Sequence, residues 1–403
     1  MKPKQNSLPL ELQDRIIDDL KDNRQSLAVC SLVSSQWFKR ARKLLFTNFT
    51  AYIYLRRGEQ AADPRRFLEL LEAPHSRLGL SIHRFYIVGP DSFMYLSESN
   101  RFFLEDYDAL SSLLEAIIPH LPHVRELNLD SMTWNMISQD TRALLGSFRE
   151  VISLSWIRIY LDCLDDLISF SSENFHGLKA IHVAELRVKN LVQTEQFSRS
   201  QHPRRPLFLQ DLRLLVEDTT TPLLLALTSD IIPVQHITTL ELEVREQDML
   251  VPIGHLIRAT APTLSTLRLH IRLYFEPYQE FDQIPFPISL SQNVNLKLLQ
   301  FYVCFYPVEI VWLEEIIGSA SSLCQLEEIR LCYESCYVDT LDFDFRALEH
   351  VLINQSAPNM KVVLEFDGLQ RIFLQDVLMK LMPELLNRGQ VSVVRCENQE
   401  HIR

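Results

Sequence analysis

The chain is poor in glycine. Only 9 of its 403 residues are Gly, and the closest two are Gly79 and Gly89. A dinucleotide fingerprint or a phosphate-binding loop needs clustered glycine so that backbone can approach phosphate. The lack of such a cluster argues against most nucleotide-dependent enzymes. Cysteine is sparse and irregularly placed, at Cys30, Cys163, Cys304, Cys324, Cys332, Cys336 and Cys396. The opening "MKPKQNSLPLELQD" has no apolar core of a signal peptide. An odd cysteine count without such a leader fits a reducing cytoplasmic or nuclear setting. No apolar run approaches the roughly 20 residues of a membrane span, so no membrane partner is expected. The formal net charge is −12 with no block of like sign, which disfavours nucleic acid as a main partner.

Chemistry-bearing constellations are also scarce. His120 and His123 flank Pro122 and so cannot sit on one helix face as metal ligands. Cys324, Cys332 and Cys336 lack the second close pair that would complete a zinc site. Asp339, Asp342 and Asp344 lack the glycine and terminal Glu of a calcium loop and read as a capping turn. "GSASS" (Gly318 to Ser322) is not in nucleophile-elbow order. We therefore expect no enzyme activity, no cofactor and no metal.

What is present is ordinary globular material, 47% apolar and 23% charged, arranged in a repeat. After Arg65 a strand-like run recurs about every 27 to 35 residues on a loose Leu-x-x-Leu-x-Leu frame. The runs are "VRELNL" from Val124, "VISLSW" from Val151, "LKAIHV" from Leu178, "LQDLRL" from Leu209, "ITTLEL" from Ile237, "LSTLRL" from Leu264, "LKLLQF" from Leu296 and "LEEIRL" from Leu326. "VVLEF" from Val362 and "VSVV" from Val391 extend the series, and "IHRFYIV" from Ile82 begins it. Helix candidates lie between, starting at Ala109, Pro222, Met249, Val308 and Ile372. One strand plus one helix cannot bury its own apolar face, so stacked units must share a core. The pattern resembles irregular leucine-rich repeats. The expected fold class is α/β, a curved solenoid with a mainly parallel sheet and outer helices, of about ten repeats over residues 51–403. The family's Asn or Cys after the last Leu is matched only at Cys304; Met132, Glu217, Arg245 and Arg272 stand elsewhere. A doubly wound sheet is the rival, disfavoured by the missing glycine-rich turns.

The N-terminal stretch "LPLELQDRIIDDLKDNRQSLAVCSLVSSQW" (Leu8 to Trp37) is organised differently. Pro9 suits a first helical position, and Leu12, Ile16, Ile17 and Leu20 form one helical stripe. "KDNRQS" interrupts it, and Ser26 is a candidate cap for a second helix carrying Leu27, Cys30, Leu32 and Val33. A third carries Trp37, Ala41, Leu44 and Leu45. Three such helices bury little surface alone; they are either a cap on the repeats or a module completed by a partner. Leu8, Pro9, Glu11 and Leu12, then Ile16 and Leu20, then Leu27, Cys30, Leu32, Val33, Ser34 and Trp37, then Ala41 and Leu45-Phe46 follow the order of an F-box, which this segment resembles over residues 1–50. The "DNRQS" turn departs from that family's usual Pro and Asp.

In a strand, alternate side chains face opposite sides. If the frame's leucines face inward, the residue between the last two faces outward. That row reads Asn128, Ser155, His182, Arg213, Glu241, Arg268, Gln300 and Arg330, all polar, with Asp211, Thr239 and Glu328 on one flank and Glu243, His270 and Tyr302 on the other. Arg213, Arg268 and Arg330 are placed to recognise an acidic or phosphorylated segment, or else simply pair with neighbouring acids on a solvated face. The segments Lys189 to Phe208, Tyr274 to Pro287 and the stretch at Leu104 read as loops with a binding role or as plain linkers.

The F-box resemblance implies a substrate adaptor of an SCF-type cullin-RING ubiquitin ligase. Leu8, Pro9, Leu12, Ile16, Leu20, Val33 and Trp37 would then dock on the SKP-type adaptor that links to cullin. Arg213, Glu241, Arg268, His270, Gln300, Tyr302 and Arg330 would face an unidentified protein substrate. The alternative is a repeat interaction scaffold with a helical cap and no ligase role.

Overall fold

The structure is a computed structural model that describes residues 8–20, 23–47, 49–54, 64–73, 78–89, 100–189, 206–216, 223, 227, 233–271, 287–303, 307–320, 325–333, 346, 349–350, 352–353, 360–366 and 382–395. The chain divides into two compact units. One is Met1–Tyr160 with Glu173–Gly177, the other Leu161–Ser172 with Leu178–Arg403.

The first unit opens with three helices, α1 (Leu10–Asp19), α2 (Arg24–Cys30) and α3 (Ser35–Thr47). Pro9 is the residue before α1, not its first turn, and its carbonyl accepts from the Leu12 and Gln13 N–H groups. The cap of α2 is Asn23, whose side chain accepts from the Ser26 N–H at 2.9 Å. Ser26 is therefore capped rather than capping, and the helix starts inside the "DNRQS" stretch. Leu32 and Val33 lie beyond α2, in a tight turn closed by Leu32 N–H to Val29 O and Val33 N–H to Cys30 O. Ser34 ends that turn by accepting from the Trp37 N–H at 3.1 Å, which starts α3.

Strand β1 (Phe49–Tyr54) follows, a strand the frame did not reveal, then α4 (Pro64–Glu72), β2 (Ile82–Val88), α5 (Asn100–Ile117), β3 (Glu126–Thr133), α6 (Gln139–Gly146) and β4 (Ser153–Leu161). Helix α5 contains the stretch at Leu104, so that stretch is helix rather than loop. β1 to β4 lie side by side in chain order and parallel. Parallel neighbours need a crossover between them, which the helices supply.

The second unit carries α7 (Leu164–Asn174), shared with the first at its C-terminal end, then β5 (Ala180–Ala184), β6 (Arg187–Val188), β7 (Asp211–Val216), β8 (Thr239–Val244), α8 (Leu250–Thr260), β9 (Thr266–Ile271), β10 (Leu298–Val303), α9 (Pro307–Ser319), β11 (Glu328–Tyr333), β12 (Lys361–Phe366), α10 (Pro383–Asn387) and β13 (Val391–Arg395). β5 and then β7 to β13 pair in chain order, again parallel. This α/β repeat is what the frame implies. Each frame opens two residues before its strand, and its last two apolar residues point inward. Leu212 and Leu214, Leu240 and Leu242, Leu267 and Leu269, Leu299 and Phe301, and Ile329 and Leu331 are all at most 2% exposed. Burying one such side chain contributes about 1.5–3 kcal/mol, so a stack of them is the main source of stability.

No asparagine ladder is required to hold successive units. The backbone does it: Asp211 N–H donates to Lys179 O, Thr239 to Gln210 O, Thr266 to Thr238 O, Leu298 to Ser265 O and Glu328 to Lys297 O. Thr263 Oγ1 adds a bond to Ile237 O at 2.8 Å. Three residues past the outward row, Ser131, Arg158 and Glu185 each adopt left-handed backbone with φ of 54°, 52° and 52°. Non-glycine residues rarely do so. At the first two, the Arg158 guanidinium grips Asp130 at 2.6 and 2.9 Å and Ser131 Oγ at 2.9 Å. A packed Trp134–Trp156 pair, edge to face with centroids 4.7 Å apart, fills the core of the same unit.

The segments 190–205, 272–286, 334–345 and 367–381 lie outside the described residues, and with them most of both proposed insertions, the Asp339–Asp344 turn, part of the helix candidate at Ile372, and Cys336. Cys304 and Cys324 lie outside them too. Among the described residues no helix is long and apolar enough to cross a membrane, and no group of three or more His, Cys, Asp or Glu side chains is placed to hold a metal ion.

Candidate functional site

Two surfaces carry the residues singled out by sequence. The first is the helical trio. Its buried core is small: Ile17, Leu27, Cys30 and Ala41, with Leu20, Trp37, Leu44 and Leu45 packed against it. Two polar locks fix the helices. Trp37 Nε1–H donates to Gln13 Oε1 at 2.7 Å, while Gln13 Nε2 donates to Leu8 O at 2.5 Å. One amide thus ties α1, α3 and the Leu8-Pro9 entry together. Arg40 holds Asp18 through two hydrogen bonds of 2.8 and 2.6 Å, and that bond, with the Asp18 charge, raises the guanidinium pKa above its ordinary value.

The rest of the apolar content faces outward. Leu8, Leu10, Leu12, Ile16, Val29, Leu32, Val33 and Phe38 are all exposed, Leu32 to 85% and Val33 to 61%. Single exposed apolar residues are normal, but eight within one short segment are more than usual, and exposed apolar surface that is contiguous marks interaction sites. Of the docking residues read from sequence, Leu8, Pro9, Leu12, Ile16 and Val33 are exposed, whereas Leu20 and Trp37 turn toward the trio's own core. Leu10, Val29, Leu32 and Phe38 belong to the exposed set and were missed. The signal for Leu32 was the serine on each side of "LV" at Ser31 and Ser34, which favours a turn over helix continuation.

The second surface is the outward row. Register places Arg213, Glu241, Arg268, Gln300 and Arg330 directly beside one another across β7 to β11. The next row runs Leu215, Glu243, His270, Tyr302, Cys332 and Glu365 across β7 to β12. Neighbouring strands stand about 4.8 Å apart, so these side chains cover one another; Gln300 is 7% exposed although it faces outward.

Their pairing is uneven. Glu241 serves two arginines, Arg268 at 3.0 Å and Arg213 at 3.5 Å, and lies 3.7 Å from His270. Arg330 has two acids: both Nε and Nη2 donate to Glu328 Oε1, and Nη1 lies 3.8 Å from Glu365. Burial works against the Arg330 charge, but the bond to Glu328 and the fields of Glu328 and Glu365 outweigh it and hold its pKa above the ordinary value. Glu243 and Arg245 form an ion pair at 3.0 Å.

Between these centres sits a polar and aromatic bridge. His270 and Tyr302 stack at 3.4 Å with planes 15° apart. Gln300 Nε2 donates to Tyr302 OH at 3.0 Å and to Cys332 Sγ at 3.0 Å, and Cys332 donates on to Glu365 Oε2 at 3.1 Å. Burial, then Glu365, pushes the Cys332 thiol far above its usual pKa. Burial also raises Tyr302, aided by the Cys332 and Glu241 charges. Both groups are thus held neutral, and the thiol is no nucleophile near neutral pH.

No protein-family model and no curated protein matches this chain. Among solved structures it is similar to the leucine-rich repeat-containing protein LegL7 from Legionella pneumophila, at 13% identity, covering 86% of this chain and 91% of that one with a TM-score of 0.36.

Proposed function

We propose that the chain is the substrate-recognition adaptor of an SCF-type cullin-RING ubiquitin ligase. The helical trio docks on the SKP-type adaptor, and the outward row of the repeats holds the target protein. The chain performs no bond chemistry; it raises the effective concentration of a target near the ligase. The observation that carries this reading is the apolar surface of the trio. It buries four side chains and leaves eight large apolar ones exposed, as a module does when another protein completes its core. A scaffold with a helical cap shares the repeat face and lacks only the docking step.

The test is co-purification of the full chain with the SKP-type adaptor. Leu12→Asp with Val33→Asp is expected to abolish capture while the chain stays folded. Failure of the unaltered chain to capture that adaptor overturns the reading and leaves the scaffold.

A further inference from the structure

We propose that the outward face of β7 to β12 takes an extended protein segment with an acidic residue and a basic residue about four positions apart. The inference rests on the reading that this face holds a target, and it names the target's chemistry. It comes from the uneven pairing of the row. At β7–β9 two guanidiniums, Arg213 and Arg268, share the single Glu241 carboxylate. A guanidinium has five donors, so among the described residues the direct ion pairs of this centre leave donors to spare and one more positive than negative charge. At β11–β12 the single guanidinium of Arg330 lies between two carboxylates, Glu328 and Glu365. Among the described residues, the direct ion pairs of that centre leave acceptors to spare and one more negative than positive charge.

Asp211 and Lys361, in the row nearer the strand starts, carry the opposite sign to the centre beside each. They oppose both centres, and it is the direct ion pairs that make the two centres uneven. Glu241 on β8 and Arg330 on β11 are three strand spacings apart, about 14 Å. An extended chain advances about 3.3 Å per residue, so four residues bridge the two centres. Gln300 and the stacked His270–Tyr302 pair lie on the path between them. A phosphopeptide fits less well, since at β11–β12 it meets the two carboxylates Glu328 and Glu365, and the guanidinium of Arg330 is already engaged by them.

The experiment uses the immobilised full chain and dodecapeptide probes of Gly, Ser and Thr carrying one Glu and one Lys separated by one to eight positions. Binding is expected to peak near a separation of four and to exceed that of probes with two Glu or two Lys at least tenfold. Arg213→Glu with Arg268→Glu is expected to lose the Glu–Lys probe and to gain the Lys–Lys probe. Arg149→Glu with Arg258→Glu, both exposed and away from this face, serves as the charge-matched control and is expected to change neither. Binding that ignores separation, a Glu–Glu or phosphoserine probe that binds as well as Glu–Lys, or a double variant that behaves as the unaltered chain overturns the proposal. Capture of the SKP-type adaptor is read on the same samples. It depends on Leu8 to Phe38, so peptide failure with adaptor capture sinks the peptide proposal alone, and the reverse pattern sinks the ligase reading alone.

Discussion

The helical trio and the repeat strands use leucine in opposite ways. In β8 and β9, Leu240, Leu242, Leu267 and Leu269 are completely buried, because each strand has a neighbour on both sides and a layer behind it. In the trio, Leu10, Leu12, Leu32 and Val33 are in solvent, because three short helices have too little surface to cover one another. The first use makes a fold. The second leaves a surface unfinished. Apolar content alone does not separate the two; the number of neighbours does.

The largest expected effect breaks the strand side of this contrast. Leu269→Ala should cost about 2–5 kcal/mol, the range for large-to-small changes at closed core sites, seen as a lower urea midpoint. The same change at Leu12 should leave the midpoint almost unmoved. A midpoint drop at Leu12 equal to that at Leu269 would falsify the contrast. Within the trio, Ile17→Ala should destabilise by more than Ile16→Ala, though the two are adjacent, because Ile17 is fully buried and Ile16 is 43% exposed. Thermal melting of the two variants checks this.

A third measurement sharpens the polar side of the repeats. Cys332 and Tyr302 keep their protons more tightly in the folded chain than when unfolded. The stability this provides is complete below their unfolded pKa values, about 8.5 and 10, and declines as pH rises through and beyond them. The urea midpoint should therefore fall between pH 8 and pH 10.5. Cys332→Ala with Tyr302→Phe should flatten that fall even if it lowers the midpoint at pH 7. The smallest effect belongs to the Asp18–Arg40 bridge. It is an exposed ion pair, and such pairs contribute roughly 0–1 kcal/mol. Asp18→Asn should barely shift melting, and high salt should erase what shift there is.

Most of the repeat fold was legible. Eleven strands follow from the frame and its extensions, and each begins where the alternation of apolar residues begins. Strand β1 was not legible, since "FTAYIY" has no Leu frame and directly follows a helix. Helix boundaries in the trio were misread where side-chain oxygens compete with the backbone. Asn23 and Ser34 each capture an N–H and so decide where α2 and α3 start. The outward row was legible residue by residue, because register in parallel strands keeps one frame position in line. The partners within it were not. Glu365 reaches Arg330 and Cys332 across about 33 residues of chain, a distance no local pattern encodes.

The sequence by itself determined which residues form eleven of the strands and which of them face inward. The reason is that a period of two with Leu at one phase admits only one burial. It also marked the segment before β1 as a helical pattern rather than a strand pattern. Tertiary structure decided the rest. Packing chose which of the trio's apolar residues turn inward, Leu20 and Trp37, and which stay outside, Leu12 and Val33. Strand order set two arginines beside one glutamate and brought Glu365 to Arg330, whose other acid, Glu328, lies on its own strand. The charge pattern of the outer face follows from that adjacency, not from the net charge of −12.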